Sequence, residues 1–150
     1  MANYFLDTSA FVKRYHLEAG TDRVLALFNQ PANQIYVSRL TLVETRSSFA
    51  LKVRSGQIAE TAAAALWVQI LADLASGTFE VLPILDSHYQ LAEELIGRHG
   101  FRFRLRTLDA LQLAVALDWS GRTPIDGFVL ADHALSEVAV AEKLPVVLLA

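Results

Sequence analysis

Four acidic residues, Asp7, Glu44, Asp109 and Asp132, stand where a carboxylate is hard to explain as ordinary surface charge. Asp7 stops the run Asn3-Tyr4-Phe5-Leu6, whose strand-favouring side chains lack polar alternation, as in a strand covered on both faces. A carboxylate there is costly to desolvate unless it caps a helix, pairs with a cation or binds a metal. Asp109 poses the same problem: Leu108, Leu111, Leu113, Ala114, Val115 and Leu117 leave its segment almost no solvated face. Together the four acids form a set of hard oxygen ligands, suited to Mg²⁺ or Mn²⁺ rather than zinc. Each also has a local explanation. Asp7, Thr8 or Ser9 can cap a helix over residues 11–15. Thr41-Leu42-Val43-Glu44 matches a capping box in which Glu44 returns a bond to the Thr41 amide. Asp109 and Asp132 can complement the positive N-termini of their helices. At this level both explanations are open.

Which one holds depends on the elements that carry the acids. Strand patterns are predicted at residues 3–6, 34–37, 79–82, 128–131 and 146–149. Between them lie helical segments at 11–15 and 24–28, then one from Ser38 or Thr41 to Ser55 that closes at Gly56. Further helices are expected at 57–76, closing at Gly77, at 86–99, from the Thr107 cap to 120, and at 132–143. Alternating strands and helices predict an α/β fold, with a central parallel sheet of about five strands and helices on both faces. Strand ends and helix beginnings share one edge of such a sheet, where ligands bind, and all four acids should reach it. Asp118 follows Asp109 by nine residues, about 180° around the helix axis, so the two cannot serve one site. Asp86 is expected to act as a cap, and Asp126 to lie on the opposite edge.

At 150 residues the chain fits one domain, residues 1–150. It is 53% hydrophobic and 19% charged, below the roughly 25% usual for soluble domains, so some apolar surface is expected to meet a partner. The apolar helix at 57–76 serves either core packing or a dimer or partner groove. The apolar run at 62–68 is far short of the roughly 18 residues of a membrane span, and Asp7 interrupts any signal peptide. With no cysteine, disulfides and thiolate metal sites are excluded, and a reducing cytoplasm is compatible. The net charge of −3 argues against a uniformly basic nucleic-acid binder, yet four of the ten arginines fall within residues 98–106. There Arg102 and Arg104 can hold phosphates while Phe101 and Phe103 stack on unpaired bases; equally, the aromatics can pack inward. No zinc-binding histidine spacing, serine-hydrolase elbow, P-loop or dinucleotide fingerprint is present.

Asp7-Thr8-Ser9, Glu44 within Leu42-Val43-Glu44-Thr45, the run from Arg106 through Asp109 to Ala114, and Ala131-Asp132 resemble the four acidic blocks of PIN-domain proteins. The likeness covers essentially the whole chain and is nearest to the VapC toxin ribonucleases of type II toxin-antitoxin systems. Leu130 departs from it, standing where the family often carries Thr or Ser. The resemblance implies a PIN-like three-layer fold and a Mg²⁺- or Mn²⁺-dependent endoribonuclease, cytoplasmic and with no membrane partner. It further implies a homodimer with a cognate antitoxin as partner. Asp7 and Asp109 would be direct metal ligands. Glu44 would be a ligand or the orienter of a metal-bound water, and Asp132 a ligand or outer partner. Thr8 and Ser9 would contact substrate phosphate or metal water, or cap the first helix. Divalent ions suit phosphodiester hydrolysis, which needs an activated water and a charge clamp on the phosphate. The competing expectation is a catalytically silent PIN-like module that binds protein or RNA.

Overall fold

The computed structural model describes residues 1–149. Five strands, β1 (Asn3–Leu6), β2 (Gln34–Ser38), β3 (Glu80–Leu82), β4 (Gly127–Leu130) and β5 (Val146–Leu148), form one parallel sheet in the order β3-β2-β1-β4-β5. The helices among the described residues are α1 (Thr8–Tyr15), α2 (Thr21–Phe28), α3 (Arg39–Arg54), α4 (Glu60–Ala75), α5 (Asp86–His99), α6 (Thr107–Arg122) and α7 (His133–Ala141). The predicted α/β architecture holds.

Strand alternation divides the core into two halves. Phe5, Tyr36, Phe128 and Leu130 point to one face, where Leu95 of α5, Leu113 of α6 and Leu135 and Val138 of α7 pack on them. Leu6, Val37 and Val129 point to the other, against Phe11 of α1, Val24 of α2, Phe49 of α3 and Ile70 of α4. The layers are therefore helix, sheet, helix, and β1 and β4 are buried from both sides, as their unalternating sequences require. Gly127 opens β4 at a crowded point, where a Cβ would come within 2.8 Å of Val147 Cγ2 and 3.1 Å of the Tyr4 ring.

Several boundaries differ from expectation for local reasons. α1 starts at Thr8, a turn earlier than predicted, because the Asp7 carbonyl accepts the amides of both Ala10 and Phe11. α3 starts from Ser38, which places Thr41 inside the helix and dissolves the capping box expected at Thr41. α3 and α4 do close at Gly56 and Gly77, with φ of 78° and 76°, a region that costs other residues strain. α6 begins after Arg106 rather than Thr107 and runs through Gly121 to Arg122.

The strand order explains why a site forms where it does. β2 and β3 lie on one side of β1, and β4 and β5 on the other, so the chain's crossovers part between β1 and β4. The crevice outside the carboxyl ends of strands at such a parting is the usual ligand position in open α/β sheets. Asp7 directly follows β1, and Asp132 stands two residues beyond β4.

Candidate active site

Asp7, Glu44, Asp109 and Asp132 all line one cavity of about 720 Å³, together with Thr8, Ser9, Arg54 and Arg106. Leu40, Val43, Leu51 and Leu108 add apolar surface to its wall, and Ser47 and Ser48 also line it. Val43, Leu51 and Leu108 are exposed, so the acids sit behind an apolar rim.

Asp7 is 6% exposed. It occupies the cap position of α1, but its carboxylate makes no capping bond there. Instead Oδ2 accepts the Ser9 hydroxyl at 2.8 Å, and Ser9 Oγ accepts the Ala131 amide at 3.0 Å, which ties the end of β1 to the end of β4. Burial pushes the Asp7 carboxyl up to about 7; the Ser9 hydroxyl opposes this, and the negative charges of Glu44 and Asp109 add to it. Asp109, half-buried in the first turn of α6, is also raised, first by burial and then by Asp132, with Glu44 adding and the Arg106 amide and guanidinium opposing.

Glu44 does not bond to Thr41's amide. Its Oε1 accepts the Thr8 hydroxyl at 2.8 Å and the Gln112 amide at 2.9 Å, partners from α1 and α6. Asp132 does cap its helix: Oδ1 accepts the Leu135 amide at 3.0 Å. The local explanation thus holds for Asp132, through one oxygen, and fails for Asp7 and Glu44.

Other acids fall elsewhere. Asp118 pairs with His88 Nε2 at 2.7 Å and with Arg122, joining α5 to α6. Asp126 accepts the Asn3 amide at 2.8 Å, at the opposite end of β1 from Asp7. Asp86 lies in the first turn of α5 but is not its cap residue, which is Leu85; the Leu85 amide is satisfied by His88 Nδ1 at 2.9 Å.

The arginine-rich connection divides as well. Arg102 and Arg104 are exposed and do not line the cavity, whereas Arg54 and Arg106 do. Phe103 and Leu105 pack against the core, while Phe101 is 94% exposed. Thr8 and Ser9, expected at substrate or metal water, line the cavity, and each donates its hydroxyl to one of the carboxylates there. Sequence reasoning missed Arg54, which carries no motif, and Gln112, which stood unremarked inside the Asp109 block.

Carboxylates that raise one another's proton affinity in a shared cavity are in the state that a bound cation relieves. Their hard oxygens fit Mg²⁺ or Mn²⁺ in kind. They are not drawn together around a point: among the described residues, no three His, Cys, Asp or Glu side chains are placed to hold an ion.

An open parallel sheet with acids gathered at the parting of its crossovers defines a class, the α/β proteins that bind ligands beyond their strand ends. Within that class the family is specific. The PIN domain model matches residues 4–141, and the chain belongs to the PIN domain family. Among solved structures it is similar to Mycobacterium tuberculosis VapC20, described as a Sarcin-Ricin loop cleaving toxin: 21% identity, 89% of this chain and 93% of that chain covered, TM-score 0.64. It is also similar to a chain of Rickettsia felis VapBC2 bound to a promoter DNA fragment, with 14% identity, 99% of each chain covered and a TM-score of 0.65. DNA-bound VapBC from Salmonella typhimurium matches at 13% identity over 98% of each chain, TM-score 0.64. No curated protein matches.

Proposed function

We propose that this protein is a VapC-type endoribonuclease, a single PIN-like domain that acts in the cytoplasm as the toxin of a toxin-antitoxin pair. The observation that carries the reading is the convergence of Asp7, Glu44, Asp109 and Asp132, from four separate parts of the chain, on one cavity in a PIN fold. Asp7 and Asp109 are the ligands we assign to Mg²⁺ or Mn²⁺, with Glu44 and Asp132 as ligands or as holders of its water. Such an ion, when bound, supplies an activated water and positive charge at the scissile phosphate.

The chain's own residues do the rest. Ser9 holds the Asp7 carboxylate, and Thr8 holds that of Glu44. Arg54 and Arg106, on the cavity wall, are placed to take the flanking phosphates. RNA cleavage should therefore stop with chelator and return with Mg²⁺. Cleavage indifferent to chelator would overturn the reading.

The arginines offer a separate check, because Arg102 and Arg104 are the phosphate-binding pair expected from sequence and lie outside the cavity. Arg54→Ala with Arg106→Ala should weaken RNA binding and reduce the salt slope by about 0.7 for each phosphate no longer neutralised, the single-strand value. Arg102→Ala with Arg104→Ala should do so less; filter binding at several salt concentrations measures both. If the outer pair proves the more damaging, substrate enters along the arginine-rich loop.

Partners follow from the apolar surface. α3 and α4 enclose a groove of about 650 Å³ floored by Phe49, Val53, Ala63 and Trp67, and Ser47 and Arg54 line both it and the acidic cavity. Val68 and Leu71 on α4 are exposed nearby in sequence. Such surface supports an antitoxin partner and a homodimer. No helix among the described residues is long and apolar enough to cross a membrane.

The second reading, a catalytically silent PIN-like module that binds protein or RNA, draws on Asp132 serving as a helix cap and on the acids being apart as placed. Toxicity on expression, relieved by the neighbouring open reading frame, separates the two.

A further inference from the structure

Gln112 lies on α6 three residues after Asp109 and is 1% exposed. A primary amide that far from water must find partners for its N–H groups and its carbonyl. Nε2 faces three oxygens, Thr41 Oγ1 at 2.7 Å, Glu44 Oε1 at 2.9 Å and Thr8 Oγ1 at 3.0 Å. Oε1 accepts the hydroxyl of fully buried Ser38 at 2.8 Å.

The orientation of this amide is dictated by chemistry. An ionised Glu44 can only accept, so the amide must turn its NH₂ toward it. Ser38 can donate or accept, and it donates. Thr8 gives its own hydroxyl to the same oxygen of Glu44 at 2.8 Å. Two donors thus meet on Oε1, which leaves Oε2 as the oxygen for a ligand. Bonds to a charged acceptor are about twice as strong as neutral ones, so this arrangement holds a side chain that would otherwise sample several rotamers.

Resting on the reading of the acidic cavity given above, we propose that Gln112 is a positioning residue. Its amide holds the Glu44 carboxylate in the orientation that a divalent cation in the cavity requires, and Ser38 orients the amide in turn. The cluster joins the start of α1 and the end of β2 to α3 and α6, so the position of one carboxylate depends on four elements meeting correctly. Gln112 touches no reacting atom; it acts through Glu44.

The test is Mn²⁺ affinity, measured by isothermal titration on metal-free protein whose folding is checked by circular dichroism. Gln112→Met keeps the volume and removes the bonds. It should weaken Mn²⁺ binding about tenfold or more, the usual effect of losing a partner that orients a ligand. Glu44→Ala should weaken it at least as much, and adding Gln112→Met to Glu44→Ala should cost less than about twofold further. Additive losses, or lower stability with unchanged Mn²⁺ affinity, would overturn the inference alone. Should Gln112→Met fail to fold, Ser38→Ala replaces it in the same cycle, with a smaller loss of affinity that also disappears once Glu44 is gone. A wild type that takes up no Mn²⁺ would overturn the metal-site reading, and this inference with it.

Discussion

Asp7→Asn should give a protein that cleaves RNA far more slowly and yet, free of metal at pH 8, is harder to unfold than the wild type. Asp7 is buried, and its carboxyl is pushed up to about 7 from an ordinary value of 3.8. At pH 8 the folded wild type must therefore hold a charge that the unfolded chain carries more cheaply. Three pKa units correspond to a cost of about 4 kcal/mol, an upper bound that relaxation of the site will reduce. Asparagine removes that charge while still accepting the Ser9 hydroxyl. We expect Asp7→Asn to stabilise the metal-free protein by roughly 2–4 kcal/mol at pH 8. At pH 4, where folded wild-type Asp7 already holds its proton, most of that gain should vanish. Urea unfolding at the two pH values measures the difference, and RNA cleavage measures the cost. Since loss of an orienting partner alone costs about 10–100-fold, loss of Asp7 as the ligand we propose should reduce cleavage by on the order of a hundredfold or more. A variant that is less stable than wild type at pH 8, or that cleaves normally, would remove Asp7 from the centre of the site. Gaining stability while losing activity is the usual mark of a functional group held at an energetic cost.

The second large effect belongs to the unmodified chain. Its metal-free melting temperature should fall as the pH is raised from 5 to 8, and Mn²⁺ should restore it at pH 8 far more than at pH 5. The sign follows from the direction of the shift. Asp7 binds its proton more tightly folded than unfolded, so stability is complete below about pH 4, is lost as pH rises toward about 7, and is level above that. Asp109, raised by burial and by Asp132, works in the same direction. Asp118 and Glu142 are held below their ordinary values, and their contribution is lost only in acid, beneath this window. A loss of about 3 kcal/mol corresponds to roughly 6–12 °C for a chain of this size. An ion present at a hundred times its dissociation constant would return about 2.7 kcal/mol. Differential scanning calorimetry with chelator and with Mn²⁺ tests both halves. A melting temperature that rises between pH 5 and 8 without metal would mean that the acids are already neutralised by protein groups.

The same residues mark the boundary between what local sequence determines and what it leaves open. Strand and helix positions were legible because they depend on side-chain periodicity and on short-range stops. Residues 34–37 and 128–131 announced buried strands, and Gly56 and Gly77 announced helix ends by being able to take a positive φ. The arrival of Asp7, Glu44, Asp109 and Asp132 at one place also followed from sequence, since it required only their positions beyond strands and near helix starts in a parallel sheet. Asp118 could be set aside by the helical repeat alone, and it lies with His88 and Arg122 outside the cavity.

The bonding of each acid was a different matter. A capping box can be written from four neighbouring letters, but whether it forms depends on where the helix begins, and here α3 begins directly after Ser38. Glu44 then answers to Gln112, 68 positions away, and to Thr8, 36 positions away. The choice of Arg54 and Arg106 over Arg102 and Arg104 for the cavity wall is of the same kind, because a flexible charged side chain shows no pattern that reveals which surface it will border. Periodicity and spacing act between residues close in sequence, so the chain alone determined its elements and the edge to which its acids go. Hydrogen bonds and burial act between residues close in space, so only the packed structure decided which carboxylate is held, by what, and at what cost in proton affinity.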